Sequence, residues 1–342
     1  MSVNYYLRWL TSQTDSVYWN DSAAPGELND AIANGAVGAT TNPFLINNAL
    51  RAQPEKWAAK LEGLDSGLEG DEKAEALTRC VTSEIAGILG KYSGKPCGGF
   101  CCAQVNPNKP GDEEAMLEQA CRYAAIADNI VIKVPATAAG LKVFEECAAK
   151  GFNTAATVSF TVPQVLAAGA AFERGSRRAE ANGVKPGLGV AVLMVGRLDD
   201  YLRDVARDSG AAVSEEDIRY SGLAAIKRAY GLFKERGYRS KLMPAAGRGP
   251  YHVTELAGAD MIMSIAPKIA KTLCGIRSSF VTRIDEPTPA GVVERLSAMP
   301  EFRKAYEPDG MTAEEFITYG ATNRTLAQFC LTGWDMLKTY IW

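Results

Sequence analysis

Short apolar runs closed by turn residues alternate along this chain with stretches whose apolar residues recur at helical spacing. Ser16–Asp21 reads as a strand ending in an acid. A turn over Ser22–Gly26 leads into a helix across Glu27–Asn34, with Leu28, Ala31 and Ile32 on one face and Gly35 as its cap. Ala36–Thr41 is a second strand, closed by Asn42 and Pro43, and Asn47–Leu89 is mostly helical with a Gly/Ser interruption near Gly63–Gly70. Gly98–Val105 gives a third strand, Asp112–Ala127 a helix, and the run from Asn129 to Pro135 a fourth strand. The helix Ala139–Lys150, capped by Gly151, precedes a fifth strand at Thr154–Ser159, and Thr161 and Pro163 open the next helix. Gly187–Met194 is the sixth strand, followed by helical segments near Leu198–Ala206 and Ser221–Arg236. Lys241–Ala246 and Asp260–Ile265 are the seventh and eighth strands, with helical residues Tyr251–Ala257 between them and a last helix opening at Pro267.

Eight short strands alternating with helices over roughly 250 residues predict an α/β fold of the (β/α)8 TIM-barrel type. An open doubly wound sheet is the alternative, but no Gly-x-Gly-x-x-Gly follows the first strand. Residues 1–275 read as the barrel, and 276–342 as a helical extension of the same domain, for example at Ala290–Met299 and Thr312–Tyr340. There Phe316, Leu326, Phe329, Trp334 and Leu337 recur at helical spacing, a face either for the barrel or for a second copy in a homodimer.

A net charge of −3 without a basic block gives no footprint for nucleic acid or an anionic membrane. The N-terminal residues lack a basic segment followed by an apolar one, and no apolar run has the length of a membrane span, so a cytoplasmic protein is expected. Eight cysteines in apolar or helical patterns suit reduced, buried thiols. Cys97, Cys101 and Cys102 superficially resemble metal ligands, but Cys101 and Cys102 should face opposite sides of a strand, and the only histidine is the distant His252.

The fourth strand carries the chemistry. In it Ile130, Val131, Ile132 and Val134 surround Lys133, and Pro135 ends the run. Burial disfavours the ammonium form and leaves a nucleophilic amine, the requirement for a Schiff-base lysine. The structural alternatives are a lysine paired with a core carboxylate or one reaching solvent at the strand end. In barrels of this type, reactive groups gather at the carboxyl ends of strands. Those ends carry Asp21, Thr40, Thr41, Asn42, Gln104, Lys133, Thr157, Ser159, Arg197 and Arg248. Such a set suits amine catalysis on a carbonyl compound with hydroxyls and an anionic end, without metal. Each also has a plainer role. Asp21 could cap the following helix, Asn42-Pro43 could be a turn, Thr40 and Thr41 could be ordinary strand residues, and Arg197 could pair with Asp199 or Asp200.

Gly38-Ala39-Thr40-Thr41-Asn42-Pro43 resembles the Thr-Thr-Asn-Pro-Ser signature of transaldolases. Lys133-Val134-Pro135-Ala136-Thr137-x-x-Gly140 is similar to their Lys-x-Pro-Ala-Thr-x-x-Gly segment. Val195-Gly196-Arg197, Ala245-Ala246-Gly247-Arg248 and Ala257-Gly258-Ala259-Asp260 match later motifs, so the resemblance runs from Val17 to Leu273 in order. It implies a Schiff base on Lys133 with a ketose C2, no cofactor, and Asp21 as general base on the C4 hydroxyl. It also implies that Thr157 and Gln104 hold a water, Thr41 and Asn42 bind substrate hydroxyls, and Arg197 and Arg248 bind a terminal phosphate. Thr40, Ser159, Met194 and Ala246 complete the expected substrate wall.

The chain departs from the pattern at several of these positions. Gln104 stands where transaldolases usually have glutamate, as in the fructose-6-phosphate aldolase branch. Ala155 replaces a sugar-binding asparagine, Val192 a serine, Met194 an aromatic residue and Ala246 the phosphate-binding serine. The expected activity is transfer of a dihydroxyacetone unit from a ketose to an aldose, on substrates altered from the usual phosphosugars, for example sulfonated ones. An aldolase releasing free dihydroxyacetone and a non-catalytic sugar-binding protein are the alternatives.

Overall fold

The computed structural model describes residues 3–277 and 280–342. Eight parallel strands form the centre: β1 (Val17–Asp21), β2 (Gly38–Thr40), β3 (Cys101–Gln104), β4 (Ile130–Pro135), β5 (Asn153–Thr157), β6 (Gly189–Leu193), β7 (Lys241–Pro244) and β8 (Ile262–Ile265). Each strand pairs with its successor from β1 to β7, β8 pairs back onto β1, and β7 lies against β8 to complete the ring. Helices follow the strands on the outside, so the architecture is a (β/α)8 barrel. The strands fall where the apolar runs predict them, β5 starting one residue earlier, at Asn153. All are shorter than their runs, because residues at either end of a run belong to turns.

The strands are buried on both faces, which is why they read as near-continuous apolar runs. Every residue of β3, β4 and β6 is buried, and Lys133 is 7% exposed among them. Helix starts are legible in the turn chemistry. Asn42 caps the helix Pro43–Ala52 by accepting from the Leu45 amide at 3.0 Å, and Thr137 caps Ala138–Ala149 through the Gly140 amide at 3.0 Å. The patterning predicts no helix before the first strand, yet Tyr5–Gln13 forms one, buried through Tyr6, Leu7 and Leu10.

The C-terminal residues are more broken than a single helical pattern implies. A helix at Gly320–Phe329 passes through a π-helical turn at Cys330–Trp334 into a short helix at Asp335–Lys338. Gly333 sits so close to the start of the helix Pro43–Ala52 that a Cβ there would lie 2.7 Å from the Phe44 amide nitrogen. Trp334 donates to Asp71 at 2.8 Å and Tyr340 to the Leu50 carbonyl at 3.2 Å. At its other end the segment reaches Arg197, at the start of the helix Val195–Ser209 that follows β6. Since β2 and β6 stand four strands apart in the ring, this segment spans the carboxyl mouth of the barrel.

One motif glycine is required by a close approach of backbone. The helix after β4 starts so near the strand end that a Cβ on Gly140 would lie 1.9 Å from the Pro135 carbonyl oxygen. Backbone cannot yield there without moving the strand that carries Lys133. Gly140→Ala is expected to cost roughly 1–3 kcal/mol, the usual range for overpacking, and to impair any chemistry at Lys133. Thermal unfolding checks the first part, and an unchanged melting temperature would contradict it.

Candidate functional site

Parallel register fixes which side chains share a face. Gln104 pairs with Lys133 across β3 and β4, and Lys133 pairs with Ala155 across β4 and β5, so these three form one row of the barrel. Thr157 lies two residues beyond Ala155 and points the same way, one layer nearer the mouth. Asp21 pairs with Thr40 across β1 and β2.

Lys133 Nζ donates to the Thr41 carbonyl at 3.1 Å, and among the described residues no carboxylate pairs with it. The structural alternative of a core ion pair is therefore not what holds this lysine. The Thr41 hydroxyl donates its proton to the Cys102 carbonyl at 2.6 Å, which leaves its oxygen only as an acceptor. That its carbonyl meets the amine is a contact that its place in the sequence does not reveal. The Asn42 side-chain oxygen is used as a helix cap, which leaves its amide nitrogen as the group available to a ligand. The capping role is therefore present and still leaves an amide donor free of the helix.

Asp21 does not cap the following helix: Pro25–Ile32 has no side-chain cap, and Ser22 bonds Glu27 instead. Its carboxylate accepts from Thr40 at 2.7 Å, and the Thr40 hydroxyl meets Ser264 of β8 at 2.8 Å. Because Thr40 spends its proton on Asp21, Ser264 must donate to Thr40, giving a relay Ser264→Thr40→Asp21. Ser264 is not a candidate from the sequence, since only the closure of β8 onto β1 brings it there. Burial raises the pKa of Asp21, against the Thr40 hydrogen bond and the positive charges of Lys133, Arg197 and Arg248, which all act to lower it. One carboxyl and three cations therefore share a single field.

At the end of β5, Val158 takes a positive φ of 53°, a conformation that costs a β-branched residue on the order of 1–3 kcal/mol. The fully buried Gln164 braces it. Its amide nitrogen donates to Val158 and Ala136 carbonyls at 3.3 and 3.1 Å, and its oxygen accepts from the Phe160 amide at 2.9 Å. That brace ties the end of β5, with Thr157, to the end of β4. Gln104 Oε1 and Ser159 Oγ are buried with no hydrogen-bond partner among the described residues, while the Met194 amide donates to the Ser159 carbonyl. Orphaned buried groups of this kind are costly unless something else completes them.

The two arginines differ in their hold. Arg197 pairs with neither Asp199 nor Asp200. It donates to Gln328 at 2.6 Å and lies over the Phe329 ring at 5.2 Å, both from the segment crossing the mouth. Burial, reinforced by the neighbouring Arg248 charge, lowers its pKa to about 10. Arg248 is exposed and takes Asp200 at 2.7 Å and the Ala246 carbonyl at 2.7 Å. Ala246 stands at a φ of 54°, and a Cβ on Gly196 would fall 2.4 Å from its carbonyl oxygen. The glycine before Arg197 thus admits the Arg248 loop, bringing two like charges to one place. Of the two, Arg248 has Asp200 as its carboxylate partner, whereas Arg197 has Gln328 and the Phe329 ring. Burial pushes the Cys101 and Cys102 thiols up, Cys102 to about 11, which disfavours thiolate ligation, and no His/Cys/Asp/Glu cluster suited to metal occurs among the described residues.

Because Asp21 binds its proton more tightly folded than unfolded, its ionised form lowers stability at neutral pH. Asp21→Asn is expected to raise the melting temperature at pH 7 while reducing turnover roughly 10²–10⁴-fold, the scale of general acid–base catalysis. The stability gain should shrink as the pH falls through the raised range and vanish below the ordinary carboxyl range, where both side chains are neutral. A lower melting temperature for the variant at pH 7 would show that the charge is net stabilising.

The sequence model of the Transaldolase/Fructose-6-phosphate aldolase family matches residues 18–314. A "Probable transaldolase" of Shouchella clausii is 30% identical over 261 residues, covering 75% of this chain and 89% of the relative. A transaldolase of Gloeobacter violaceus is 26% identical over 289 residues, covering 81% of this chain and 69% of the relative. One from Pseudoalteromonas atlantica is 24% identical over 313 residues, with 89% and 91% covered. Fold, strand-end residues and relatives agree: the chain belongs to the transaldolase/fructose-6-phosphate aldolase family.

Proposed function

We propose that this chain is a Schiff-base transaldolase acting on a ketose with an anionic terminus. The observation that supports it most is a buried lysine amine that has no carboxylate partner among the described residues and shares one field with Asp21 and two guanidinium groups. The Lys133 amine adds to the ketose C2 carbonyl, and loss of water gives an iminium. Asp21 takes the C4 hydroxyl proton, the C3–C4 bond breaks, and its electron pair moves into the iminium to give an enamine and a free aldehyde. An acceptor aldehyde is then attacked by the enamine, Asp21 returns the proton to the new alkoxide, and water releases the product from Lys133. Gln104, in the row that holds Lys133, and Thr157, one layer nearer the mouth, are the groups to orient that water. Gln104 can orient it but, being an amide, cannot take its proton.

Arg197 and Arg248 take the anionic end, and the Asn42 amide nitrogen takes a hydroxyl of the dihydroxyacetone unit. Without the hydroxyl that Ala246 lacks, a phosphate loses a hydrogen bond worth on the order of 1.5–3 kcal/mol. That favours a differently substituted donor, such as a sulfonated ketose. A second reading, an aldolase releasing dihydroxyacetone, draws on Gln104 standing in register with Lys133. The site would need no cofactor, and its partners would be small ketoses and aldoses. Among the described residues no helix is long and apolar enough to cross a membrane.

Borohydride with dihydroxyacetone or a ketose is expected to leave a mass-shifted adduct on Lys133 that is absent from Lys133→Met. No adduct with any of a panel of phosphorylated, sulfonated and free ketoses would favour a sugar-binding protein instead. Turnover that depends on an acceptor aldehyde identifies the transferase, and turnover without one identifies the aldolase. Normal rates with fructose 6-phosphate and erythrose 4-phosphate would overturn the altered-substrate reading.

A further inference from the structure

The only histidine in the chain lies beside the Arg248 loop, 3% exposed, and nothing in the chemistry above uses it. The Arg248 backbone amide donates to His252 Nδ1 at 3.0 Å. A backbone N–H can only donate, so Nδ1 must be unprotonated and the ring proton falls on Nε2. Nε2 lies 3.1 Å from Asp199 Oδ2, at an angle too bent for a good hydrogen bond. Asp199 is fully buried and is itself located by Ser221 Oγ at 2.8 Å, the Gly222 amide at 2.9 Å and the Tyr251 hydroxyl at 3.3 Å. The Tyr251 ring packs on the imidazole with centroids 4.2 Å apart.

This network fixes a tautomer. A carboxylate can only accept, so Asp199 favours the form with the proton on Nε2 and leaves Nδ1 as an acceptor. The acceptor faces the one amide whose residue carries the exposed guanidinium, two positions after the positive-φ Ala246. A loop bent through such a conformation needs an external hold to persist.

We propose that His252 is a positioning residue for the anion site: its Nδ1 fastens the Arg248 amide, and Asp199 selects the tautomer that makes this possible. The inference rests on the reading of Arg248 as an anion-binding residue. Two substitutions separate the halves of the ring. His252→Asn places an amide oxygen near the Nδ1 position, and His252→Gln places its polar end near Nε2. His252→Gln should weaken inhibition by inorganic phosphate roughly tenfold or more, the scale of one lost hydrogen bond to a charged group. It should also raise KM for an anionic ketose with kcat nearly unchanged, and leave borohydride trapping of dihydroxyacetone at Lys133 intact. His252→Asn should retain phosphate affinity while lowering the melting temperature, since Asp199 loses its imidazole partner. A merely structural histidine would instead make phosphate affinity and melting temperature fall together in both variants.

Hydrogen exchange at the Arg248 amide gives a readout that does not depend on the substrate. Exchange faster in His252→Gln than in wild type or His252→Asn supports the proposal, and equal exchange with equal phosphate inhibition overturns it. Should wild type show neither phosphate inhibition nor any ketose adduct, the functional reading fails, and amide exchange alone decides whether His252 fastens the loop. Should His252→Gln fail to fold, Asp199→Asn reaches the same contact by freeing the tautomer: faster exchange supports the proposal, and unchanged exchange with unchanged phosphate inhibition overturns it.

Discussion

A lysine inside an apolar barrel must have its amine satisfied, and the choice of partner governs the site around it. A carboxylate would hold the amine as a charged ion pair. Here the Thr41 carbonyl accepts a hydrogen bond from it instead, fixing position without supplying a counter-charge. Thr41 can offer that carbonyl because its own hydroxyl is anchored to β3 and because Asn42 turns the chain at once into a helix. The motif around these residues is therefore a device for placing one carbonyl. With no carboxylate among the described residues bound to Lys133, Asp21 keeps a separate place on β1, and burial outweighs the nearby cations in setting its affinity for a proton.

The eight strands are legible because a parallel sheet buried on both faces writes itself as unbroken apolar runs, and because proline, glycine and asparagine mark where each run stops. Lys133, Asp21 and Gln104 are legible for a related reason: a polar residue within or ending such a run has few places to point. What cannot be read are pairings set by closure and by the C-terminal chain. Ser264 meets Thr40 across 224 positions, and Gln328 meets Arg197 across 131. Local spacing carries no signal at such separations. For Arg197 the nearby acids Asp199 and Asp200 invite a local pairing, but one is buried against His252 and the other holds Arg248. The helix Tyr5–Gln13 lacks a proline or glycine boundary and begins at an asparagine cap, a weaker mark.

Small residues at the site do two kinds of work. Gly140 and Gly196 permit backbone contacts that no side chain would allow, and so preserve the arrangement. Ala155 and Ala246 instead present a methyl group and no side-chain hydrogen-bonding atom. Ala155 lies directly beside Lys133 in the sheet, which makes the change a local enlargement next to the amine.

Arg197 waits for a partner encoded far downstream. Synthesis proceeds from the N-terminus, so a nascent chain that has completed all eight strands, through Ile265, still lacks Gln328 and Phe329. Until those residues emerge, the guanidinium faces an open mouth beside a second like charge. The barrel and the surroundings of Arg197 are therefore finished at different moments in the life of the chain, with a later segment closing over strands already made.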